Sequence, residues 1–552
     1  MDCDEIKADV LIAGGAITGI EAAIHAKIFK PELEVVVIDK AKAAKSGCAY
    51  WGGGDITYVI PEDDMEKWVD HYMLIAGGVA EKSSKKQIDL ETFLEEARLR
   101  VEEMVEWGTP FERDEEGAIL RKFGRGGGAP SAVCRGSTIL EVMHRKAKEV
   151  GVRFVDHLTA TNFLLNRDGE AAGAIGFVTG VDDYRPVLLP APAIVLATGP
   201  CSFKAVYMGH RMCTGDGMAM AYRHGATFMG MEFAKNTNTG PRHYDISGMA
   251  RFVSMGGKFV NKRGEEFMAR YDPVLGNMAN FSTLIYAMAS EFREGRGPIF
   301  FDMTEIKPDD FELSRRILPH TFNALDRMGL DFRRDRIEWI PSFAGNRATG
   351  AGLKTDSQME TTIPGLFAVG DSTGKYWYGA NAGYHGMNFA WCAVSGQRAG
   401  RAAAALAEVR RKSKFGGDDL KGYLASQVAP LRAKKGIIEP NEAIAVIQDA
   451  IIPYKRLIIT SKDSLIRALT NIENLSKDLD NLHAKDIHFL VKAHEAKNMA
   501  LMAEMILRAS LERTESRGIH HREDYPDRDD ANWRKWLYLR KAGSEMRLWS
   551  EV

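Results

Sequence analysis

The chain has 552 residues, of which 45% are hydrophobic and 27% are charged. These proportions are typical of globular proteins that bury a large core, so they exclude intrinsic disorder and collagen-like or coiled-coil fibres. The formal net charge is −2. A charge so close to zero argues against a polyanion-binding protein, and we expect no nucleic-acid partner.

The six cysteines are scattered along the chain, and no C-x-x-C pair occurs. This spacing argues against a disulfide framework, a Cys-rich zinc or iron–sulfur site and c-type haem attachment. The N-terminus lacks the basic and apolar segments of a signal peptide, and no run of about 18 apolar residues is present. We expect a cytoplasmic protein with no metal site and no membrane span of its own, peripheral to a membrane only through a partner.

The first forty residues have the pattern of a strand–helix–strand unit. Residues 10–13 and 35–38 are short β-prone runs, and residues 20–29 form an alanine-rich helical pattern. Buried strands on either side of such a helix are typical of a parallel α/β sheet.

A glycine turn joins the first strand to the helix. Gly14, Gly15 and Gly19 follow the dinucleotide pattern G-x-G-x-x-G, with Ala16 in place of its second glycine. Such a turn lets the backbone approach a pyrophosphate and directs helix N–H groups at its charge. Asp39 ends the second strand, where it can accept hydrogen bonds from a ribose. The unit therefore predicts nucleotide binding.

Two further strands end in small or acidic residues. Residues 193–199 finish in Ala197, Thr198 and Gly199, and residues 363–371 finish in Gly370 and Asp371. Ligands of open α/β sheets bind outside the carboxyl ends of the strands. We expect the three strand ends to surround one long ligand; three ordinary strand–turn junctions are the alternative.

The remaining segments divide by composition. A long amphipathic helix is predicted over residues 83–107 and an alanine-rich helix over 388–408, while residues 230–340 mix loops and helices like an inserted domain. From about residue 417 the pattern is helical, and the last 30 residues are expected to be irregular.

Several ordered segments carry a family resemblance. The chain resembles the flavoprotein subunits of succinate dehydrogenase and fumarate reductase, a family that also includes adenylylsulfate reductase. The matching segments are the N-terminal glycine motif, WGTPF at 107–111, CTGDGMAMAYRHGA at 213–226, GGKFVNKRGEEFMARYDP at 256–273, EFREGRGP at 291–298, IPGLFAVGDSTG at 363–374 and RTESRGIHHREDYPDRDDANWRKW at 513–536.

The resemblance implies FAD as the dinucleotide and an α/β fold in three parts. A Rossmann-like FAD-binding domain would span residues 1–232 and 341–412, an inserted α+β capping domain residues 233–340, and a C-terminal helical domain residues 413–552. The flavin would perform the two-electron chemistry while the protein positions the substrate.

The resemblance also implies the residues that hold FAD. Family members with a covalent flavin place a histidine where this chain has Ser46, so we expect non-covalent FAD and a structural thiol at Cys48. The expected cofactor-binding residues are Gly14, Gly15, Ala16, Gly19, Asp39, Lys40, Ser46, Gly47, Gly53, Gly54, Ala197, Thr198, Gly199, Asp216, Gly370, Asp371 and Asn388.

The chain departs from the family at the substrate site. The arginine that delivers a proton to the alkene falls on Phe281, a second family arginine falls on Tyr286, and a carboxylate-binding arginine falls on Ala382. Residues 237–240 read Thr-Asn-Thr-Gly where dicarboxylate-reducing relatives have His-Pro-Thr-Gly. Because a phenyl ring neither donates a proton nor pairs with a carboxylate, the usual arginine-based mechanism is not expected.

Other polar residues are candidates for catalysis. Arg347 stands where the family has a substrate-binding histidine, and its guanidinium can form a fork with a carboxylate, sulfate or phosphate. His385 could shuttle a proton or contact an anion near the flavin. Arg242 and His243 lie on the expected capping loop and could close over the substrate. For each of them a structural role is the alternative.

The sequence thus predicts a catalytic FAD-dependent flavoprotein subunit that transfers two electrons between a small anionic substrate and an iron–sulfur partner. Three alternatives stay open. The first is an adenylylsulfate reductase alpha-type subunit, and the second is an enoate or dicarboxylate reductase with a proton donor relocated to Tyr286, Tyr384 or His385. The third is a non-catalytic FAD electron-transfer subunit.

Overall fold

A five-stranded parallel sheet lies at the centre of the computed structural model, which describes residues 3–81, 86–207, 209–246, 248–410, 417–433, 438–452 and 457–551. Its strands, in spatial order, are Leu366–Ala368, Ala193–Leu196, Val10–Ala13, Val35–Ile38 and Arg153–Val155. All neighbouring strands are parallel. Every residue of the three inner strands is buried, as expected where both faces of a parallel sheet are covered.

Alternate residues of the sheet enter two separate cores. On one face Val10 and Ile12 pack into the core formed by the helices Ile17–Phe29 and Met387–Val409. These two helices touch so closely that a Cβ atom at Gly400 would overlap the carbonyl oxygen of Ala22. Glycine is therefore needed where the two helices cross. The alanine-rich helix predicted over residues 388–408 is the second of these helices, Met387–Val409.

On the other face Leu11 and Ala13 enter a core shared with a second sheet and the C-terminal helices. The second sheet has the spatial order Asp4–Glu5, Pro186–Pro190, Ala171–Val178, Leu158–Leu165. Its three long strands are antiparallel to one another, and the short edge strand is parallel to Pro186–Pro190.

An inserted α+β unit stands over the carboxyl ends of the central strands. Its antiparallel sheet has the order Asn236–Pro241, Ile337–Gly345, Ile299–Asp302, Lys258–Val260. Its helices are Met249–Ser254, Phe281–Arg293, Pro308–Ile317 and Pro319–Arg327. The unit, which we call the cap, has a core of its own. The boundaries at 232 and 340 stay predictions, and one cap strand runs past the second.

The C-terminal region begins with helices, as predicted, but does not end irregularly. The helices Gly417–Arg432, Pro440–Ile451, Lys462–Asp478 and Ile487–Glu512 are followed by a hairpin of Trp536–Ala542 and Glu545–Glu551. The expectation of an irregular end was wrong: Gly543, with φ +64°, closes a two-residue turn, and the buried start of the first strand pairs with Phe228–Met229.

The helix predicted over residues 83–107 is observed as Leu90–Glu106, while residues 82–85 lie outside the described part of the chain. The other helices are Gly47–Trp51, Met65–Ile75, Gly136–Glu149, Asp216–Arg223 and Asp530–Trp533. Short strands are Ile56–Thr57, Arg121–Lys122, Ser131–Ala132, Gly352–Leu353, Ile459–Thr460 and His521–Arg522. In the described ranges no helix is long and apolar enough to cross a membrane. The predicted α/β class is confirmed.

Candidate active site

One large cavity runs along the carboxyl ends of the central strands and beneath the cap. It brings together most of the residues that the sequence singled out. Those on its wall are Gly14, Gly15, Ala16, Asp39, Lys40, Ser46, Gly47, Gly53, Gly54, Ala197, Thr198, Gly199, Asp216, Arg347, Asp371, His385 and Asn388.

The glycine turn forms one end of the cavity. Gly14 has φ +115°, and a Cβ atom on it would overlap the carbonyl oxygen of Ala197, so no other residue fits there without displacement. The backbone N–H of Gly15 donates to Oδ2 of Asp39 over 2.8 Å. At the N-cap of the following helix, Ala16 supplies no side-chain acceptor, which leaves first-turn N–H groups for an anionic ligand.

Two of the expected cofactor-binding glycines lie behind the wall. A Cβ atom at Gly19 would overlap the carbonyl oxygen of Gly14, and one at Gly370 would lie 2.8 Å from Oγ1 of Thr18. Neither glycine lines the cavity. Both glycines therefore allow the helix and the strand ends to pack closely against each other.

Lys40 and Asp216 line the cavity wall, and their side chains form an ion pair with each other. The Lys40 ammonium donates to Thr214 Oγ1 and Asp216 Oδ2 over 2.9 Å and to Glu495 Oε1 over 2.8 Å. Burial raises the pKa of Asp216, but the charge and hydrogen bond of Lys40 outweigh it, so the pKa is lowered overall. The cluster ties the C-terminal helix to the second strand end.

Arg242 and His243 do not reach the cavity. Arg242 is more than half exposed on the cap and donates to Glu338 Oε1 over 2.7 Å. His243 is 70% exposed beside the same carboxylate. The structure therefore does not bring the expected capping-loop pair to the site.

Arg347 lies on the cavity wall with unused hydrogen-bonding capacity. Its Nε atom is buried and has no hydrogen-bond partner in the described part of the chain. Burial lowers the pKa of Arg347, but Cys48, Tyr207 and Asp371 outweigh it and the pKa is raised overall. The guanidinium, 5.9 Å from the centre of the Tyr207 ring, is therefore a permanent cation.

Across the cavity, His385 belongs to a cluster that the sequence did not predict. Arg251 donates to Nε2 of His385 over 3.0 Å and is also hydrogen-bonded to Asp55. Burial lowers the pKa of His385 to about 4, with Asp55 opposing and Arg251 adding to the shift. The imidazole is therefore neutral near pH 7, and Arg251 carries the positive charge of the cluster.

The sequence around Asp55 contains a hint of its role at the site, whereas the sequence around Arg251 does not. Asp55 directly follows a run of three glycines, so its position at a tight turn could have been noticed. Arg251 lies in a short cap helix that no motif marks, and only the tertiary fold places it 2% exposed against Asp55. Phe281 lines the cavity, whereas Tyr286 on the same helix does not and is 39% exposed.

Comparison with known proteins identifies the family to which the chain belongs. A family model described as FAD binding domain matches residues 9–389, and a model of the fumarate reductase flavoprotein C-terminus matches residues 451–551. The chain belongs to the flavoprotein family of fumarate reductase and succinate dehydrogenase. It is an FAD-dependent oxidoreductase.

Relatives of this flavoprotein match over nearly their whole length. An uncharacterized FAD-dependent oxidoreductase of Methanocaldococcus jannaschii is 28% identical over 539 residues, covering 96% of this chain and 95% of the relative. A fumarate reductase (CoM/CoB) subunit of Methanothermobacter marburgensis is 28% identical over 570 residues, covering 98% of each. The succinate dehydrogenase flavoprotein subunit of Rickettsia bellii is 26% identical, covering 96% of this chain and 92% of the relative.

Solved structures share the fold of this flavoprotein. An E. coli quinol fumarate reductase chain matches with a TM-score of 0.87 at 21% identity, covering 99% of this chain and 97% of that one. Adenylylsulfate reductase from Archaeoglobus fulgidus matches with a TM-score of 0.81 at 20% identity, covering 99% and 96%. At these identities the likeness concerns the fold alone.

FAD is the cofactor of this flavoprotein, and the glycine-lined end of the cavity suits it. The uncapped helix start offers N–H groups to a pyrophosphate, and the Asp39 carboxylate, held by Gly15 and Ala41 N–H groups, retains lone pairs for a ribose. When bound, the flavin supplies two-electron chemistry. The residues present therefore fit the cofactor that the family implies.

Proposed function

We propose that this flavoprotein is the catalytic subunit of a two-protein oxidoreductase that transfers two electrons between a small anionic substrate and an iron–sulfur partner. We also propose that FAD is held without a covalent bond, since Ser46 stands at the position of the flavin-linking histidine. Of the proposed site residues, Arg347 and His385 would contact the substrate, and the glycine turn with Asp39 would hold the cofactor.

The observation that carries the proposal is the state of Arg347. A guanidinium has five N–H donors and no acceptor, and a buried one without partners is costly. Here the Nε atom is buried and has no partner among the residues that the structure describes, while the side chain borders the cavity that the flavin would share. A ligand with several acceptor oxygens, such as a carboxylate or an oxyanion of sulfur, would satisfy it.

Asn238 supports the same ligand chemistry. It lines the cavity from the first cap strand, is 3% exposed, and its Nδ2 atom has no hydrogen-bond partner among the described residues. Together, Asn238 and Arg347 offer unused donors to the cavity. Donors from two elements favour an anion over a cation or an apolar molecule as the substrate.

The partner follows from where the electrons must go. None of the six cysteines occurs in a C-x-x-C pair, so the chain has no cysteine motif for a cluster of its own. Two of the relatives are named as subunits, of fumarate reductase and of succinate dehydrogenase. We therefore infer that the reduced flavin passes its electrons to a separate iron–sulfur protein.

A second candidate function is the reduction of an enoate or dicarboxylate with a relocated proton donor. The observation that favours it is the Arg251–Asp55–His385 cluster, which faces the cavity although Phe281 occupies the expected donor position. In this reaction Arg251 would hold the transferable proton, Asp55 would return it, and the neutral His385 would orient the guanidinium by accepting its hydrogen bond.

Anaerobic stopped-flow measurements of the flavin absorbance would separate these functions. Oxidised protein is mixed with succinate or with sulfite plus AMP, and photoreduced protein with fumarate or crotonate. Rapid reduction or reoxidation by one compound, slowed at least about tenfold by Arg347→Met but not by Arg334→Met on the exposed cap surface, supports an enzyme for that anion. Reaction with none of them, alongside rapid reduction by a ferredoxin, would contradict the proposal and identify an electron carrier.

A further inference from the structure

Two cysteines meet in the wall of the cavity. The Sγ atoms of Cys48 and Cys213 are 3.4 Å apart, although the residues are separated by 165 positions in the sequence. Both side chains line the cavity that would hold the flavin, and both lie 3.6 Å from the carbonyl oxygen of Gly209. All six cysteines of the chain lie in the described ranges, and no other two of them are within hydrogen-bonding distance.

The backbone fixes this meeting. Cys48 is in the first turn of the helix Gly47–Trp51, and Cys213 directly follows the short helix His210–Met212. Gly209, with φ +85°, lies between the two elements, and a Cβ atom on it would be 2.9 Å from Cα of Cys48. Because the turn presses on the helix at a position where only glycine fits, the two thiols are held side by side.

The surroundings of the two thiols include a proton acceptor. His210 is 1% exposed, and neither of its ring nitrogens makes a hydrogen bond of normal length and angle in the described part of the chain. The hydrogen bond with Cys213 and burial raise the pKa of Cys48, while His210 acts in the opposite direction. Burial lowers the pKa of His210, which keeps its imidazole neutral but also makes it a weaker proton acceptor.

We propose that Cys48 and Cys213 form a redox-active pair that exchanges two electrons with the FAD of this protein. In the forward direction two S–H bonds are lost and one S–S bond forms. The two electrons and two protons would pass to the oxidised flavin, with His210 as the residue that would relay a thiol proton. In reverse, the Cys48–Cys213 disulfide would take two electrons and two protons from the reduced cofactor, and both thiols would be restored.

The geometry makes the S–S bond accessible. A disulfide has an S–S length of about 2.04 Å, so the sulfur atoms, now 3.4 Å apart, need to approach by roughly 1.4 Å. Rotation about the side-chain bonds can supply most of such a movement. The pair would give the protein a second two-electron store beside the flavin, in addition to the substrate site at Arg347.

An anaerobic reductive titration with dithionite tests the proposal. After oxidation with ferricyanide, wild-type protein should take up about four electrons per FAD, two for the flavin and two for the disulfide. The variants Cys48→Ser and Cys213→Ser should each take up about two. The matched control Cys134→Ser removes a buried thiol outside the cavity and should leave the value at about four. Uptake of two electrons by wild-type protein would overturn the proposal.

Thiol alkylation followed by mass spectrometry gives a readout that does not depend on activity. Oxidised wild-type protein, alkylated after denaturation, should carry label on four of its six cysteines, and dithionite-reduced protein on all six. A disulfide-linked peptide pair containing residues 48 and 213 should appear only in the oxidised sample. Six labelled cysteines in the oxidised sample would contradict the pair even if FAD is bound and substrate turnover is normal.

Discussion

Arg251 donates a hydrogen bond to Nε2 of His385 over 3.0 Å and thereby links the cap to the loop before the helix Met387–Val409. Because a guanidinium cannot accept a hydrogen bond, Nε2 is the acceptor and the neutral ring has its proton on Nδ1. This arrangement assigns the positive charge at this wall to Arg251. The sequence suggests His385 as a proton shuttle, but in the structure the group that holds a transferable proton at this wall is its neighbour Arg251.

The burial of neutral His385 predicts a dependence of stability on pH. The folded pKa of about 4 lies below the unfolded value of about 6.5, so the unfolded state binds more protons between these values and stability falls as the pH decreases. Between pH 7 and pH 5 His385 should contribute a loss of about 2 kcal/mol. Urea unfolding at the two pH values should show a smaller loss for His385→Gln, whereas exposed His488→Gln should behave as wild type. Equal losses in all three proteins would contradict the assignment.

The space around His385 makes a second prediction. A Cβ atom at Gly124 would overlap the imidazole ring, so Gly124→Ala should push His385 away from Arg251. We expect substrate-dependent flavin turnover to fall at least about tenfold while the FAD content stays near one per chain. The control Gly422→Ala, at an exposed position of the helix Gly417–Arg432 with no atom near its Cβ position, should leave turnover unchanged. Unchanged turnover in Gly124→Ala would show that the contact has no catalytic role.

Acid precipitation tests how the flavin is attached. Ser46 lies on the cavity wall where a covalent relative would have its histidine, and a serine hydroxyl is a poor nucleophile without an adjacent base. Trichloroacetic acid should therefore release all of the flavin into the supernatant, where its absorbance is measured. A flavin that stays with the protein pellet and with a proteolytic peptide would contradict non-covalent binding.

A buried ion cluster predicts where the C-terminal region stabilises the FAD-binding domain. Arg513 donates to Glu232 Oε1 over 2.8 Å and to Glu515 Oε1 over 2.7 Å, and all three side chains are fully buried. Arg513→Met leaves the buried Glu232 carboxylate without its ion-pair partner, while Glu515 keeps its pair with Arg517, and it should cost about 3–5 kcal/mol in the free energy of unfolding. Exposed Arg334→Met should change it by less than about 0.5 kcal/mol, as measured by urea denaturation.

The cofactor end of the site could be predicted because its determinants are local. Gly14, Gly15 and Asp39 belong to one strand–turn–helix–strand unit, and the short-range pattern of that unit already contains the turn, the helix start and the strand end. The structure places all three on the cavity wall. The family resemblance then implied FAD, which the match over residues 9–389 confirms.

The substrate end could not be predicted in the same way because tertiary contacts build it. Asp55, Arg251 and His385 come from three distant segments, and nothing in the sequence relates their positions. Arg242 was expected over the substrate because it lies on the cap, yet Glu338 on the neighbouring strand holds it at the surface. The C-terminal hairpin is not predicted either, because the apolar part of its first strand is short and the strand is buried by pairing with the distant residues Phe228–Met229.

The central proposal is that Arg347 binds an anion beside the flavin. The most direct test is an equilibrium titration of the oxidised protein with malonate, sulfate and sulfite, followed by the flavin absorbance spectrum. At least one anion should perturb the spectrum in a saturable way, with a Kd raised about 10- to 150-fold in Arg347→Met and unchanged in Arg334→Met. If no anion perturbs the spectrum, or if Arg347→Met binds as tightly as wild type, the proposed substrate site is contradicted.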